Sequence, residues 1–73
     1  MIVSSPEEFG AALRDRRRKK GYTQRFLSDM TGFSVSFISD LERGKATAEL
    51  GKALILANLL GLDLDLKTRG TDE

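Results

Sequence analysis

The residues of this chain that could do chemistry are concentrated between Thr23 and Lys45. Small side chains occupy one face at the start of a short helical segment: Ser34, Val35, Ser36, Ser39 and Asp40. Polar and cationic side chains lie on either side of that segment: Thr23, Gln24, Arg25, Arg43 and Lys45. The first set suits the edges of bases in a groove, and the second suits phosphate oxygens. The chemistry indicated is therefore reversible contact with double-stranded DNA.

Catalytic and metal chemistry is disfavoured by what the sequence lacks. There is no His and no Cys, so the commonest general base, the thiolate nucleophile and the usual metal ligands are missing. A serine such as Ser28 or Ser39 would have no base beside it. Asp63 and Asp65 are better explained as a solvated face than as metal ligands. We expect no enzyme activity, no cofactor, no metal and no small-molecule ligand.

Two short helices joined by a tight turn should carry the polar residues. Thr23 is a helix-capping type, and the first helix is predicted from Gln24 to Thr31. Gly32 follows where a helix needs a left-handed residue. Ser34 is a second cap, and the next helix is predicted from Val35 to Arg43. Its Ile38 and Leu41 form one buried stripe, which leaves the opposite face free to enter a major groove.

These residues resemble a known family. The runs GYTQ, Leu27 followed by Thr31-Gly32, and FISDLERGK are similar to the Xre/Cro-type helix-turn-helix repressors of bacteria, over about residues 9–62. The resemblance implies an all-α, lambda-repressor-like fold of four helices and a sequence-specific DNA-binding repressor. Ser34, Val35, Ser36, Ser39 and Asp40 would read bases; Thr23, Gln24, Arg25, Arg43 and Lys45 would contact phosphates.

The last third of the chain carries a narrower resemblance. The run ISDLERGKATAELGKALILANLLGLDLDL is similar to the antitoxins encoded beside Hip-type Ser/Thr kinase toxins. This implies a regulator that represses its own operon and also binds a kinase toxin. Two alternatives stay open: a phage or restriction-controller regulator of the same family, and a protein-interaction module that uses the same fold without reading DNA.

An ion pair between Arg17 and Glu42 is implied by the same family resemblance. A guanidinium fork also suits a bidentate carboxylate in a partly buried site, whereas the alternative is a solvated Arg17. Two aromatic residues stay open. Phe26 is either partly exposed or part of a partner surface, and Phe37 is either at the core edge or in contact with the DNA backbone.

Two further helices should flank this pair. Ser5, followed by Pro6 and a Glu three residues on, predicts a helix start with a capping box, running to about Lys20. Thr47 could cap a fourth helix from Ala48 to Leu60. Its residues at helical spacing should seal the core: Leu50, Ala53, Leu54, Ala57 and Leu60.

The remaining apolar residues indicate a two-fold dimer. Ile55 and Leu59 lie on a second face of the fourth helix, and the strict alternation from Leu62 to Lys67 predicts a strand. A lone strand cannot satisfy its own backbone, so we expect it to pair with the same strand of a second copy. The predicted dimerisation residues are Ile55, Leu59, Leu62, Leu64 and Leu66.

Chain length and charge limit the domain organisation and the kind of partner that we expect. Seventy-three residues make one domain, 1–73, with a core of about 5–61, a dimerisation strand of about 62–68 and a tail of 69–73. The net charge is only +1, but residues 14–25 hold seven Arg or Lys and one Asp. Such local concentration favours phosphate contact over general binding to polyanions. With no membrane-length apolar run and no signal-peptide pattern, we expect a cytoplasmic bacterial protein, associated with the nucleoid when bound to its operator.

Overall fold

The computed structural model describes residues 2–70 and has four helices in that range. They are α1 (Pro6–Lys19), α2 (Gln24–Thr31), α3 (Val35–Glu42) and α4 (Leu50–Leu59). The predicted all-α architecture is confirmed, with α3 packed against both α1 and α2. Of the predicted tail, residues 71–73 lie outside the described range. No helix in the described part of the chain has the length and apolar character needed to cross a membrane.

Side-chain caps fix the first three helices where the sequence predicts them. The hydroxyl of Ser5 accepts the Glu8 backbone N–H at 3.0 Å, that of Thr23 the Phe26 N–H at 2.9 Å, and that of Ser34 the Phe37 N–H at 3.0 Å. The capping box at α1 is only half formed. The Glu8 carboxylate accepts the N–H of Ser4 at 2.7 Å rather than that of Ser5.

The start of α4 corrects the prediction. Thr47 does not cap a helix, because Lys45 to Ala48 form a turn closed by the Ala48 N–H donating to the Lys45 carbonyl at 3.3 Å. The helix begins later, at Leu50, and its cap residue, Glu49, makes no capping hydrogen bond with its side chain.

Among residues 2–70 the core is a cluster of eight apolar side chains, which come from all four helices and from the residue that ends α4. Its members are Leu13, Leu27, Ile38, Leu41, Ala53, Leu56, Ala57 and Leu60. The predicted α4 stripe was therefore partly wrong. Leu50 is 67% exposed because it lies in the first turn beyond the core, Leu54 is half-buried, and Leu56 occupies the buried position instead.

Two glycines allow α1 and the C-terminal end of α3 to touch. A β-carbon on Gly10 would overlap the carbonyl oxygens of Leu41 and Glu42, the latter at 2.6 Å. Gly44 has a φ of +90°, and a β-carbon there would lie 2.7 Å from the Glu7 α-carbon. The absence of side chains at these two positions lets the α1 backbone lie against the C-terminal end of α3.

The segment after α4 is irregular in the single chain. Between Leu62 and Arg69, within the described range, the backbone forms neither helix nor strand. The predicted strand needs a second copy for its hydrogen bonds, so it stays a prediction. Leu62 packs against the core of its own chain, whereas Leu64 and Leu66 are exposed.

Candidate nucleic-acid interface

The outward face of α3 begins with small, accessible side chains. Ser34, Val35 and Ser36 are all exposed, while Ser39 and Asp40, one turn further on, are half-buried. The Ser34 hydroxyl already accepts the Phe37 N–H as a cap, so only its proton and one lone pair are free. Val35 and Ser36 therefore form the most accessible part of the predicted reading surface.

The C-terminal end of α3 gathers four of the predicted site residues into one network. The Arg43 guanidinium donates to the Ser39 hydroxyl and, through Nη2, to Asp40 Oδ1 at 2.6 Å. Lys45 Nζ lies 3.7 Å from the other carboxylate oxygen, Oδ2. Asp40 therefore faces two cations of its own chain, and Arg43 is the only one of the two that also holds Ser39.

The N-terminal end of α2 supplies the other predicted phosphate contacts. Thr23 uses its hydroxyl as the cap, and Arg25 Nε lies 3.4 Å from Asp29 Oδ1 in an exposed pair. Gln24 points inward, since its Nε2 donates to Glu42 Oε1 at 3.0 Å. The backbone N–H groups of Gln24 and Arg25 precede the first bonds of the helix, and such groups at the positive end of a helix favour an anion.

Glu42 joins three helices through its carboxylate. Arg17 Nε donates to Oε2 at 2.7 Å and Nη2 donates to Oε1 at 3.0 Å, so the ion pair is bidentate. Both residues are buried, with 8% of Arg17 and 6% of Glu42 exposed. Arg17 Nη1 also donates to the Tyr22 carbonyl at 2.9 Å. The start of α2 and the end of α3 are thus fixed to α1 by one charged group.

Three positioning contacts were missed by the sequence reasoning. Arg16 Nε donates to the Leu60 carbonyl at 2.8 Å, which ties α1 to the end of α4. Lys52 Nζ lies 5.6 Å from the ring centre of Phe33 and 5.5 Å from that of Phe37. A cation over an aromatic face is attractive, so Lys52 holds α4 against the turn and α3. No local pattern marks these long-range pairs.

The structure shows the environments of Phe37 and Phe26, which the sequence did not decide. Phe37 is half-buried at the core edge and makes an edge contact with Phe33, their ring centres 5.5 Å apart. Phe26 is exposed and lies against Tyr22, with 4.7 Å between ring centres.

Asp63 and Asp65, the two aspartates considered as metal ligands, belong to an exposed face. Asp63 and Asp65 are exposed, and Asp65 lies 3.7 Å from Lys67 Nζ. Within residues 2–70 no group of three or more potential ligands could hold a metal ion.

Proteins similar in sequence to this chain are transcriptional regulators of the helix-turn-helix type. A helix-turn-helix family model matches residues 13–67. The HTH-type transcriptional regulator y4mF of Sinorhizobium fredii (strain NBRC 101917 / NGR234) is 35% identical over 93% of this chain and 90% of its own length. The SPbeta prophage-derived HTH-type transcriptional regulator YonR of Bacillus subtilis (strain 168) is 35% identical over 86% of this chain, which spans 58% of YonR.

Solved structures share the fold. A chain of the HipB–O4 20mer complex superimposes with a TM-score of 0.85 and 23% identity, over 96% of this chain and 99% of that one. A chain of the HipA–HipB–O2–O3 complex gives the same TM-score, identity and coverage. The family match over most of the sequence is decisive. The chain belongs to the Xre-type helix-turn-helix family and is a DNA-binding transcriptional regulator.

Proposed function

We propose that this regulator is a homodimeric repressor that binds a palindromic operator through α3. The observation that carries the proposal is the accessible face at the start of α3, which cationic residues of α2 precede and those after α3 follow in the sequence. A two-fold dimer would present two such helices to successive major grooves, with half-sites about one helical turn or ~34 Å apart.

The residues divide by the chemistry that they can offer. Val35 can meet a thymine methyl group, and Ser36 can donate to or accept from several base edges. Ser34, Ser39 and Asp40 lie at the margin of this surface. Thr23, Gln24, Arg25, Arg43 and Lys45 would contact phosphates, Gln24 through its backbone N–H because its side chain is held by Glu42. With few strong base readers, selection would depend in part on DNA shape.

Salt titration tests DNA binding by this surface. The operator would first be selected from a pool of random duplexes, and its affinity then measured by fluorescence anisotropy over a series of salt concentrations. Each phosphate neutralised contributes about 0.9 to the slope of log K against log salt, so several contacts give a steep line. An affinity that barely changes between low and moderate salt would defeat the proposal and favour a protein-interaction module instead.

The dimer is supported by apolar surface that the single chain leaves uncovered. Ile55 is 54% exposed, Leu64 49% and Leu66 94%, and Leu59 is also exposed. An open groove of about 530 Å³ runs between α1 and the segment after α4, lined by Phe9, Leu62, Leu64 and Leu66 among others. Pairing of this segment with its copy would satisfy the backbone and cover these side chains. Because Leu62 already packs on its own core, its share in the interface should be the smallest of the five predicted residues.

The finer proposal is that the regulator is the antitoxin of a Hip-like kinase. It is supported by the similarity of the fold to chains of two HipB complexes, one of which also contains HipA. The exposed Phe26 and Met30, four residues apart on α2, offer an apolar surface outside the predicted dimer interface. The test is co-expression with the protein encoded by the neighbouring reading frame. A kinase-like neighbour that forms a stable complex supports the proposal, and a neighbour of another class or no complex contradicts it.

A prophage regulator is the competing role, favoured by the similarity to the prophage-derived YonR. It predicts the same operator binding without a kinase partner. The genomic neighbourhood therefore separates the two roles, while the salt titration tests what they share.

A further inference from the structure

We propose that Asp40 sets the discrimination between operator and random DNA, by holding Arg43 and Lys45 until a base amino group takes their place. The inference rests on the proposed phosphate roles of Arg43 and Lys45.

The geometry gives each carboxylate oxygen of Asp40 its own cation. Arg43 Nη2 lies 2.6 Å from Oδ1, and Lys45 Nζ lies 3.7 Å from Oδ2. The backbone supports the arrangement, because the N–H of Lys45 donates to the Asp40 carbonyl at 3.0 Å. The segment after α3 is thus folded back towards this one side chain.

Of the two carboxylates on α3, Asp40 is the one available for the exchange. Glu42 is buried and is occupied by Arg17 and Gln24. Asp40 keeps about a third of its side chain exposed, 31%, on the flank of the reading surface. It is therefore the group that can partner these two cations in the free protein and still reach the groove.

The DNA sequence should determine whether Arg43 and Lys45 stay on Asp40 or move to phosphates. For Arg43 and Lys45 to move fully onto phosphates, the carboxylate must face the groove without its cations, which the negative potential of DNA opposes. The amino groups of cytosine and adenine are the hydrogen-bond donors that the major groove offers to a carboxylate. Where such a donor is in place, as in the operator, the cations are released at little cost. On random DNA they stay divided between Asp40 and phosphate.

The experiment compares Asp40→Asn with the wild type on two duplexes of equal length, the selected operator and a random sequence. Freeing up to two cations should raise random-duplex affinity by roughly 5- to 50-fold at ~0.1 M salt, and should steepen the log–log salt slope by up to ~1.8. Operator affinity should rise less, so the ratio of operator to random affinity should fall.

Asp15→Asn is the matched control. Asp15 forms an exposed ion pair with Lys19, 3.2 Å apart on α1, and its replacement changes the net charge by the same amount. It should alter both affinities by less than about twofold. Equal effects of the two substitutions would overturn the inference, because the change would then reflect net charge alone. A loss of operator affinity with random-duplex affinity unchanged would also overturn it, and would make Asp40 simply a base reader.

Two further variants control for an effect on folding and test the phosphate role of Arg43 separately. Asp40→Ala removes the same charge with a better helix former, and must repeat the Asp40→Asn result. Arg43→Gln added to Asp40→Asn should cancel about half of the logarithmic gain on random DNA. If Arg43→Gln alone leaves both affinities unchanged, the phosphate role fails together with the inference, whereas equality of Asp40→Asn and Asp15→Asn overturns the inference alone.

Discussion

Replacing Arg17 with alanine removes the cation that neutralises a buried carboxylate at the junction of three helices. Glu42 would keep only the hydrogen bond from Gln24, and the Tyr22 carbonyl would lose its donor. Breaking a buried pair from one side costs about 3–5 kcal/mol. Because Gln24 still serves Glu42 and water can enter the vacated space, we expect the lower end, about 3 kcal/mol. A chain of 73 residues has only roughly 4–11 kcal/mol in total.

Thermal unfolding followed by circular dichroism measures this loss. A loss of about 3 kcal/mol in a domain of this size lowers Tm by roughly 12–24 °C. Arg18→Ala is the control, since Arg18 is exposed on the same helix and should change stability by less than about 0.5 kcal/mol. Glu42→Gln introduced into the Arg17→Ala protein should recover part of the loss, because it removes the unpaired charge. Equal shifts for Arg17→Ala and Arg18→Ala, or no recovery in the double variant, would refute this account of the ion pair.

Three other predictions follow from the structure. Gly10→Ala should destabilise the fold by about 1–3 kcal/mol or more because its methyl group would meet the α3 backbone, while Gly51→Ala, with open space around it, should stabilise it by about 0.5–1 kcal/mol. Denaturant titration compares the two variants, and stability changes of the same sign would contradict the close approach. Ser36→Leu should weaken operator binding by about 1–3 kcal/mol and leave the binding of random DNA unchanged, whereas Arg25→Ala should weaken both to the same degree. If the two variants change the ratio of operator to random affinity equally, the assignment of base-reading and phosphate-contacting residues is wrong. Leu64→Asp should dissociate the dimer and lower Tm, and sedimentation showing a wild-type monomer at micromolar concentration, or an intact variant dimer, would exclude the proposed interface.

Local signals were sufficient for the first three helices. A capping hydroxyl and a glycine at the end act within a few residues, so the sequence around Thr23 to Gly32 specifies α2 without reference to the rest of the chain. The family resemblance implied the Arg17–Glu42 pair, which the structure contains. No such local signal marks Gly10, because its importance arises from a carbonyl more than 30 residues away in the chain.

The fourth helix shows where periodicity is insufficient. From Ala53 to Leu60 nearly every side chain is apolar, so two stripes fit the same spacing. One contains Leu54 and the other contains Leu56. The turn at Lys45 to Ala48 moves the start of the helix to Leu50. In the helix that forms, the stripe that contains Leu56 is the buried one. The segment after α4 presents a different difficulty, since its predicted strand depends on a second molecule.

The bond from Arg16 to the Leu60 carbonyl has a mechanical consequence for operator choice. It fixes the direction in which the chain leaves α4, and α1 carries that direction through Glu42 to α3. In a dimer paired through residues 62–66, the two reading helices would therefore be joined by a stiff frame. Adding one base pair between half-sites moves one of them by about 3.4 Å and turns it by about 35° around the duplex axis. A stiff frame cannot follow that screw motion, so the spacing of the operator would be selected as strictly as its bases.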